Sequence, residues 1–235
     1  MRTLAQSLGW MQTGTDLLME AMKRLDDDAL CSSTALPGWS RLHVLAHVGF
    51  NARALQRLAH WARTGFPTPM YGSAEQRAAE IADGATWTAD RLRALVADSA
   101  DGLAADLDAL DDAAWRREVV TAQGRTVPAT ELPWMRTREV AVHAVDLNAG
   151  VTFADLPEDV CVALVDDVAE RRSDRGADPA LAVRSTTGRS WDVAGAGRPT
   201  VVTGAPADLA RWLTGRGSDG VDAHGQPLPT LTPWL

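Results

Sequence analysis

The feature that most constrains the fold is a helical segment with ionisable side chains on its apolar face, Leu132-Pro-Trp-Met-Arg-Thr-Arg-Glu-Val-Ala-Val-His-Ala-Val-Asp146. At about 100° per residue, side chains four positions apart lie roughly 40° from each other on a helix. Glu139 and His143 therefore share one face, which also carries Met135 and Asp146. Burying a carboxylate without a partner is costly, so this face predicts an ion pair or a metal ion.

A second segment upstream supplies another histidine. The run Pro37-Gly-Trp-Ser-Arg-Leu-His-Val-Leu-Ala-His47 predicts a turn followed by a helix with Ser40 as its N-cap. The apolar residues of this helix define a buried sector that includes His47 and Asn51. His43 lies roughly 100° from the centre of that sector, so His47 is the better candidate for an inward-facing ligand.

Together, His47, Glu139 and His143 form a ligand set of two imidazoles and a carboxylate that leaves one tetrahedral position open, as catalytic zinc sites do. Asn51 and Asp146 fit a second layer of groups that orient the imidazoles. Spacing alone leaves alternatives open, because Glu-x-x-x-His is common as a surface pair and His47 could be a satisfied core histidine. Asn51 and Asp146 could likewise be polar contacts at the ends of a bundle.

Composition bounds the class of protein. The chain has 235 residues, 46% of them hydrophobic and 23% charged, which suits one large or two small globular domains. A net charge of -8 argues against nucleic acid or an anionic membrane as partner, and no apolar run reaches the length of a membrane span.

The first residues lack the apolar stretch of a signal peptide, so we expect a cytoplasmic protein. Cys31 and Cys161 lack CxxC spacing and are expected to be free thiols in a reducing compartment.

The hydrophobic period changes near residue 150. Residues 1–150 have a helical pattern, and their four long amphipathic helices predict a bundle, a fold that builds metal sites from inward-facing side chains. These helices are expected over Leu4–Leu25, Ser40–Gly65, Ser73–Leu110 with a break at Gly84, and Leu132–Asp146, with a short hairpin over residues 117–127.

Residues 151–235 predict a small α+β domain, because short strand-like runs alternate there with glycine, proline and aspartate. Strands are expected over Ala180–Arg184, Ser190–Val193 and Thr200–Thr203, between helices over Pro157–Arg172 and Ala207–Thr214. Pro157 suits the first position of its helix.

Five runs of the sequence resemble the mycothiol-dependent maleylpyruvate isomerases of actinobacteria. They are residues 37–48, 60–71, 121–128 and 134–147, and the motif Gly-Arg-Gly-Ser-Asp-Gly at 215–220. The resemblance spans both halves of the chain and is more specific than the spacing of the candidate ligands. Pro133 departs from the family pattern. This departure bears on where the helix begins and leaves the expected ligands unchanged.

The resemblance implies a DinB-like four-helix bundle followed by an α+β domain like that of sterol carrier protein type 2. It implies that His47, Glu139 and His143 bind zinc. It also implies that Arg216, in the C-terminal domain, binds a substrate carboxylate, for which the alternative is a cation at a helix C-terminus. The implied reaction is the isomerisation of maleylpyruvate to fumarylpyruvate in gentisate-type aromatic degradation, with mycothiol as thiol cofactor.

The implied chemistry depends on the cis double bond of maleylpyruvate, which is conjugated to a carbonyl and rotates slowly. A thiolate that adds to this bond makes it single, so that rotation and elimination give the trans isomer. Neither cysteine of the chain is a convincing nucleophile, so the thiol has to come from outside, and zinc would lower its pKa. Two alternatives remain open: a mycothiol S-transferase that releases the adduct, and a metal- or ligand-binding module without turnover.

Overall fold

Four long helices dominate the N-terminal half of the computed structural model, which describes residues 2–234. The chain divides into unit 1, Met1–Val151, and unit 2, Thr152–Leu235. The helices of unit 1 are α1 (Leu4–Lys23), α2 (Asp27–Leu30), α3 (Arg41–Thr64), α4 (Ala74–Gly84), α5 (Ala89–Asp108), α6 (Asp112–Trp115) and α7 (Leu132–Asp146). A hairpin of β1 (Glu118–Val120) and β2 (Thr126–Pro128) precedes α7.

The four long helices α1, α3, α5 and α7 pack against one another, which confirms the predicted bundle. Their ends follow local rules. Ser40 is the N-cap of α3, and Gly65 ends that helix in the left-handed conformation at φ 79°, which glycine adopts without strain. Pro133 lies in the first turn of α7, where its missing N–H costs nothing.

The bundle core brings α1 and α7 unusually close together. Gly14 of α1 faces Val140 of α7, and a Cβ atom at position 14 would lie 2.7 Å from Val140 Cγ2. Both α3 and α7 bury leucine and valine side chains on either side of this contact. The apolar packing, at about 25 cal/mol per Å² buried, fixes α7 in the bundle and therefore fixes the ionisable groups that α7 carries.

Unit 2 contains α8 (Glu158–Arg175), β3 (Pro179–Ser185), β4 (Ser190–Val193), β5 (Ala196–Gly204), α9 (Pro206–Leu213) and β6 (Val221–Asp222). The sheet has the order β4-β3-β5-β6; β3 is parallel to β5 and the other pairs are antiparallel. The predicted α+β class is confirmed. Several details differ from the prediction. Pro157 is the N-cap of α8 instead of its first residue, and α8 continues three residues beyond Arg172. Strand β5 starts four residues before Thr200, since Ala196 already pairs with Pro179, and β6 was not predicted. Within residues 2–234, no helix is long and apolar enough to cross a membrane.

Within unit 2, a buried ion pair links the C-terminal segment of the chain to α8. Arg172 Nη1 donates to Asp178 Oδ2 at 2.6 Å, and both side chains have an exposed fraction of 0%. The other oxygen of Asp178 accepts hydrogen bonds from the backbone and hydroxyl of Thr232 at 2.7 and 2.9 Å. Burial alone would raise the pKa of Asp178, but these bonds from Thr232 and Arg172 outweigh it and lower that pKa.

We expect Asp178→Asn to destabilise unit 2 by about 3–5 kcal/mol, because the amide leaves the Arg172 charge buried and unpaired. The measurement is urea unfolding with hydrogen exchange over residues 152–234. Asp192→Asn is the control, since Asp192 pairs with Arg184 while 79% exposed, and such pairs contribute about 1 kcal/mol or less. Because the folded pKa of Asp178 is lowered, its contribution should be complete above about pH 4 and be lost as the pH falls through the folded pKa. Equal stability of the two variants would contradict this assignment.

Candidate metal centre

Helices α3 and α7 bring three potential metal ligands together. His47 lies on α3, and Glu139 and His143 lie one turn apart on α7. Glu139 Oε2 lies 2.8 Å from His47 Nε2 and 3.4 Å from His143 Nε2. One ligand atom from each residue falls within 4.8 Å of the other two. The structure thus places the three predicted ligands around one point; that they bind a metal stays a prediction.

The three side chains are largely withdrawn from water, with exposed fractions of 5% for His47, 17% for Glu139 and 11% for His143. Burial lowers the pKa of His47 despite the nearby carboxylate. Burial alone would raise the pKa of Glu139, but the two imidazoles hold it well below its usual range. Glu139 is therefore an anion at neutral pH, and its carboxylate lies beside the Nε2 atoms of both imidazoles.

The Nδ1 atoms of the two imidazoles face opposite kinds of group. His143 Nδ1 lies 2.8 Å from Asp146 Oδ2, an acceptor, as expected for a carboxylate that orients a ligand histidine. Burial alone would lower the pKa of His143, but its bonds to Asp146 and Glu139 raise it. His47 Nδ1 instead lies 3.3 Å from Arg77 Nη2, which can only donate.

Asn51 faces inward on α3, as predicted, but its contact is with a guanidinium. Asn51 Oδ1 accepts a hydrogen bond from Arg136 Nη1 at 3.1 Å, and the same nitrogen donates to the carbonyl of Val48 at 2.8 Å. Burial lowers the pKa of Arg136 to about 10. The role predicted for Asn51, support of an imidazole, stays a prediction.

Histidines outside the predicted set make other contacts. His43 Nδ1 lies 2.8 Å from the Ser40 hydroxyl at the start of α3, and its ring stacks on Trp39. His60 and His224 contact neighbours in the chain, Arg63 and Asp222. The position of His43 agrees with the helical-face argument that favoured His47 over it. That His43, His60 and His224 bind no metal stays a prediction.

Sequence reasoning missed Arg77, Arg136 and Tyr71, which surround the same site. The ring of Tyr71 lies 5.8 Å from the guanidinium carbon of Arg77, and burial raises the pKa of Tyr71. Arg136 could have been found, because it precedes Glu139 by one helical turn on α7. Arg77 and Tyr71 give no comparable signal, since they belong to α4 and to the connection before it.

Arg216, the predicted carboxylate-binding residue, lies in unit 2 directly after α9. Its Nη1 donates to the carbonyl of Thr214 at 2.5 Å. The glycines on either side have φ values of 80° and 124°, in the region that favours glycine. The backbone conformation of this turn therefore depends on glycine at both positions. The predicted role of Arg216 stays a prediction.

The donor set suits a divalent metal ion. Two imidazole nitrogens and one carboxylate oxygen are the ligands of many catalytic zinc sites, which keep a fourth position for a water or substrate atom. Among residues 2–234, no fourth histidine, cysteine or carboxylate joins the group. A metal held here would therefore retain a position for a ligand from outside the chain.

Comparison with known proteins gives consistent matches. The family model described as "Mycothiol maleylpyruvate isomerase N-terminal domain" matches residues 11–148. A crystal structure of a mycothiol-dependent maleylpyruvate isomerase is similar to this chain with a TM-score of 0.92 and 39% sequence identity, over 97% of each chain. A structure of a mutant of such an isomerase, with one histidine replaced by alanine, gives the same values. No curated protein sequence matches the chain.

Proposed function

We propose that this chain, which belongs to the mycothiol maleylpyruvate isomerase family, converts maleylpyruvate to fumarylpyruvate with mycothiol at a zinc ion held by His47, Glu139 and His143. The observation that carries the proposal is the convergence of these three side chains, all within one unit. The 39% identity over 97% of both chains supports assigning the same chemistry.

His47, Glu139 and His143 would hold the metal, and no fourth ligand from residues 2–234 joins them, so a coordination position would remain for a sulfur atom. When bound, zinc would supply the charge that keeps a thiol ionised at neutral pH. Mycothiol would supply the sulfur nucleophile, whose reversible addition allows rotation about the substrate double bond. Neither cysteine of the chain is suited to that role: Cys161 is buried, which raises its pKa to about 12, and Cys31 is exposed, with its thiol donating to the carbonyl of Asp27.

The neighbouring residues keep the ligands in position. Asp146 would fix the orientation of the His143 ring through Nδ1, so that Nε2 stays directed at Glu139 and free to bind a metal. The Trp39 ring packs edge-on against His47 with the ring centres 5.4 Å apart, which limits rotation of that imidazole. For the substrate, we propose that the planar guanidinium of Arg216 binds a carboxylate.

Purified, zinc-loaded protein incubated with maleylpyruvate should form fumarylpyruvate only when mycothiol is added, because the chain lacks a suitable nucleophile. Absorbance or chromatography follows the conversion. Accumulation of a mycothiol–substrate adduct without fumarylpyruvate would instead identify an S-transferase. Equal conversion with and without mycothiol would contradict the proposed mechanism.

A further inference from the structure

Arg77 contacts a candidate metal ligand without being paired to a carboxylate. Its Nη2 lies 3.3 Å from His47 Nδ1, and its guanidinium carbon lies 5.8 Å from the centre of the Tyr71 ring. Arg77 also forms a side-chain hydrogen bond with Tyr71, but none of the ion pairs found among residues 2–234 involves it. Its side chain is partly exposed to solvent. A guanidinium in this position, beside a metal site, carries a positive charge that attracts anions.

Hydrogen-bonding chemistry limits when Arg77 can contact His47. A guanidinium only donates, so Nδ1 must accept, and the single proton of a neutral imidazole must lie on Nε2, where it donates to Glu139 at 2.8 Å. An imidazole that gives the lone pair of Nε2 to a metal carries its proton on Nδ1. Two donors would then face each other, so a metal on Nε2 would break the hydrogen bond between Arg77 and His47.

The other histidine shows what an orienting partner requires. His143 Nδ1 faces Asp146, an acceptor, and this contact is compatible with a metal on Nε2. A residue whose task was to orient His47 would also have to be an acceptor. Arg77 is the wrong kind of group for that task in the metal-bound protein, which favours a role in binding a ligand.

We propose that Arg77, released from His47 when metal binds, holds one of the two carboxylates of the substrate. This inference rests on the proposed function, in which the substrate carries a carboxylate at each end. The reacting double bond lies between them, so a cationic contact at one end would hold that bond in place beside the metal ligands. The planar guanidinium of Arg77 can donate two parallel hydrogen bonds to one carboxylate. Arg77 is thereby a specificity-determining residue that favours substrates with a carboxylate at the end it contacts.

The test measures binding of maleate, a cis dicarboxylate without the keto groups of maleylpyruvate, to zinc-loaded protein by calorimetry in the absence of mycothiol. Loss of charge-assisted hydrogen bonds in Arg77→Gln should weaken maleate binding roughly 10- to 150-fold. Arg53→Gln is the matched control, since Arg53 is exposed on α3 and its guanidinium lies over the Phe50 ring. That control should bind maleate like the unmodified protein.

Zinc affinity, measured by competition with a chromophoric chelator, separates ligand binding from support of His47. We expect Arg77→Gln to bind zinc as tightly as the unmodified protein or more tightly. Loss of zinc affinity with normal maleate binding in the zinc-loaded variant would show that Arg77 only positions His47, and would overturn the proposal. So would unmodified zinc-loaded protein that does not bind maleate, or Arg77→Gln that binds it normally. Because no isomerisation is involved, failure of the isomerase assay would leave this result independent.

Discussion

Replacement of His47 by alanine is expected to remove the bound metal and abolish isomerase activity while leaving the helical fold in place. The unmodified protein should bind about one equivalent of divalent metal, at ligand distances of about 2.0–2.2 Å. Loss of one of three protein ligands leaves two, which is too few to hold a catalytic zinc ion tightly. Metal analysis, activity and far-UV circular dichroism of the purified variant are the measurements.

His43→Ala is the matched control, because His43 lies one turn away from His47 on α3 and contacts Ser40 instead of the candidate ligands. This variant should retain both metal and activity. Metal loss in His43→Ala together with retention in His47→Ala would show that the helical-face assignment is wrong.

Chelation separates a catalytic metal from a structural one. Leucine and valine side chains of α3 and α7 are fully buried on both sides of His47, Glu139 and His143. Apolar packing therefore holds these helices together without an ion. A chelator should therefore abolish activity and leave most of the helical circular dichroism signal. Global unfolding on metal removal would place the metal in the structural class and weaken the proposed mechanism.

Arg216→Lys is expected to lower kcat/KM by roughly 30- to 900-fold, which corresponds to about 2–4 kcal/mol of transition-state stabilisation. Lysine keeps the charge but lacks the planar pair of donors that matches a carboxylate. Metal content and unfolding of the variant should match those of the unmodified protein, because Arg216 is absent from the described ligand group. Steady-state kinetics with varied maleylpyruvate concentration gives the result.

Arg198→Lys provides the comparison for this substitution, since Arg198 is an exposed arginine of β5 in the same unit. It should show normal kinetics. If Arg216→Lys were nearly as active as this control, the role of Arg216 would reduce to its charge. A drop in metal content in Arg216→Lys would point instead to a structural effect.

The fold class and the helix that carries two of the three candidate ligands could be predicted from the sequence, because both depend on patterns within short segments. Helical periodicity alone places Glu139 and His143 on one face, and the same periodicity separates His47 from His43. Pro133 and Gly65 mark helix ends because their allowed backbone angles depend only on the residue itself. Asp146 follows His143 by three positions, so its contact with that ring was also predictable from spacing.

Contacts between distant segments required the folded chain. Asn51 was correctly placed inward, yet its hydrogen bond goes to Arg136, 85 positions away, because the packing of α3 against α7 determines which side chains meet. Arg77 reaches His47 across 30 positions from a different helix. No periodic pattern links these residues, so their partners could not be predicted from either segment.

By itself, the sequence determined which residue types face the core, since that depends on backbone geometry that repeats every few residues. The tertiary structure decided that His47 Nε2 lies 2.8 Å from Glu139 Oε2. It also decided that His47 Nδ1 faces Arg77, a hydrogen-bond donor, and not an acceptor. Both depend on the offset between packed helices, which the whole set of buried apolar contacts fixes together and which no single segment encodes.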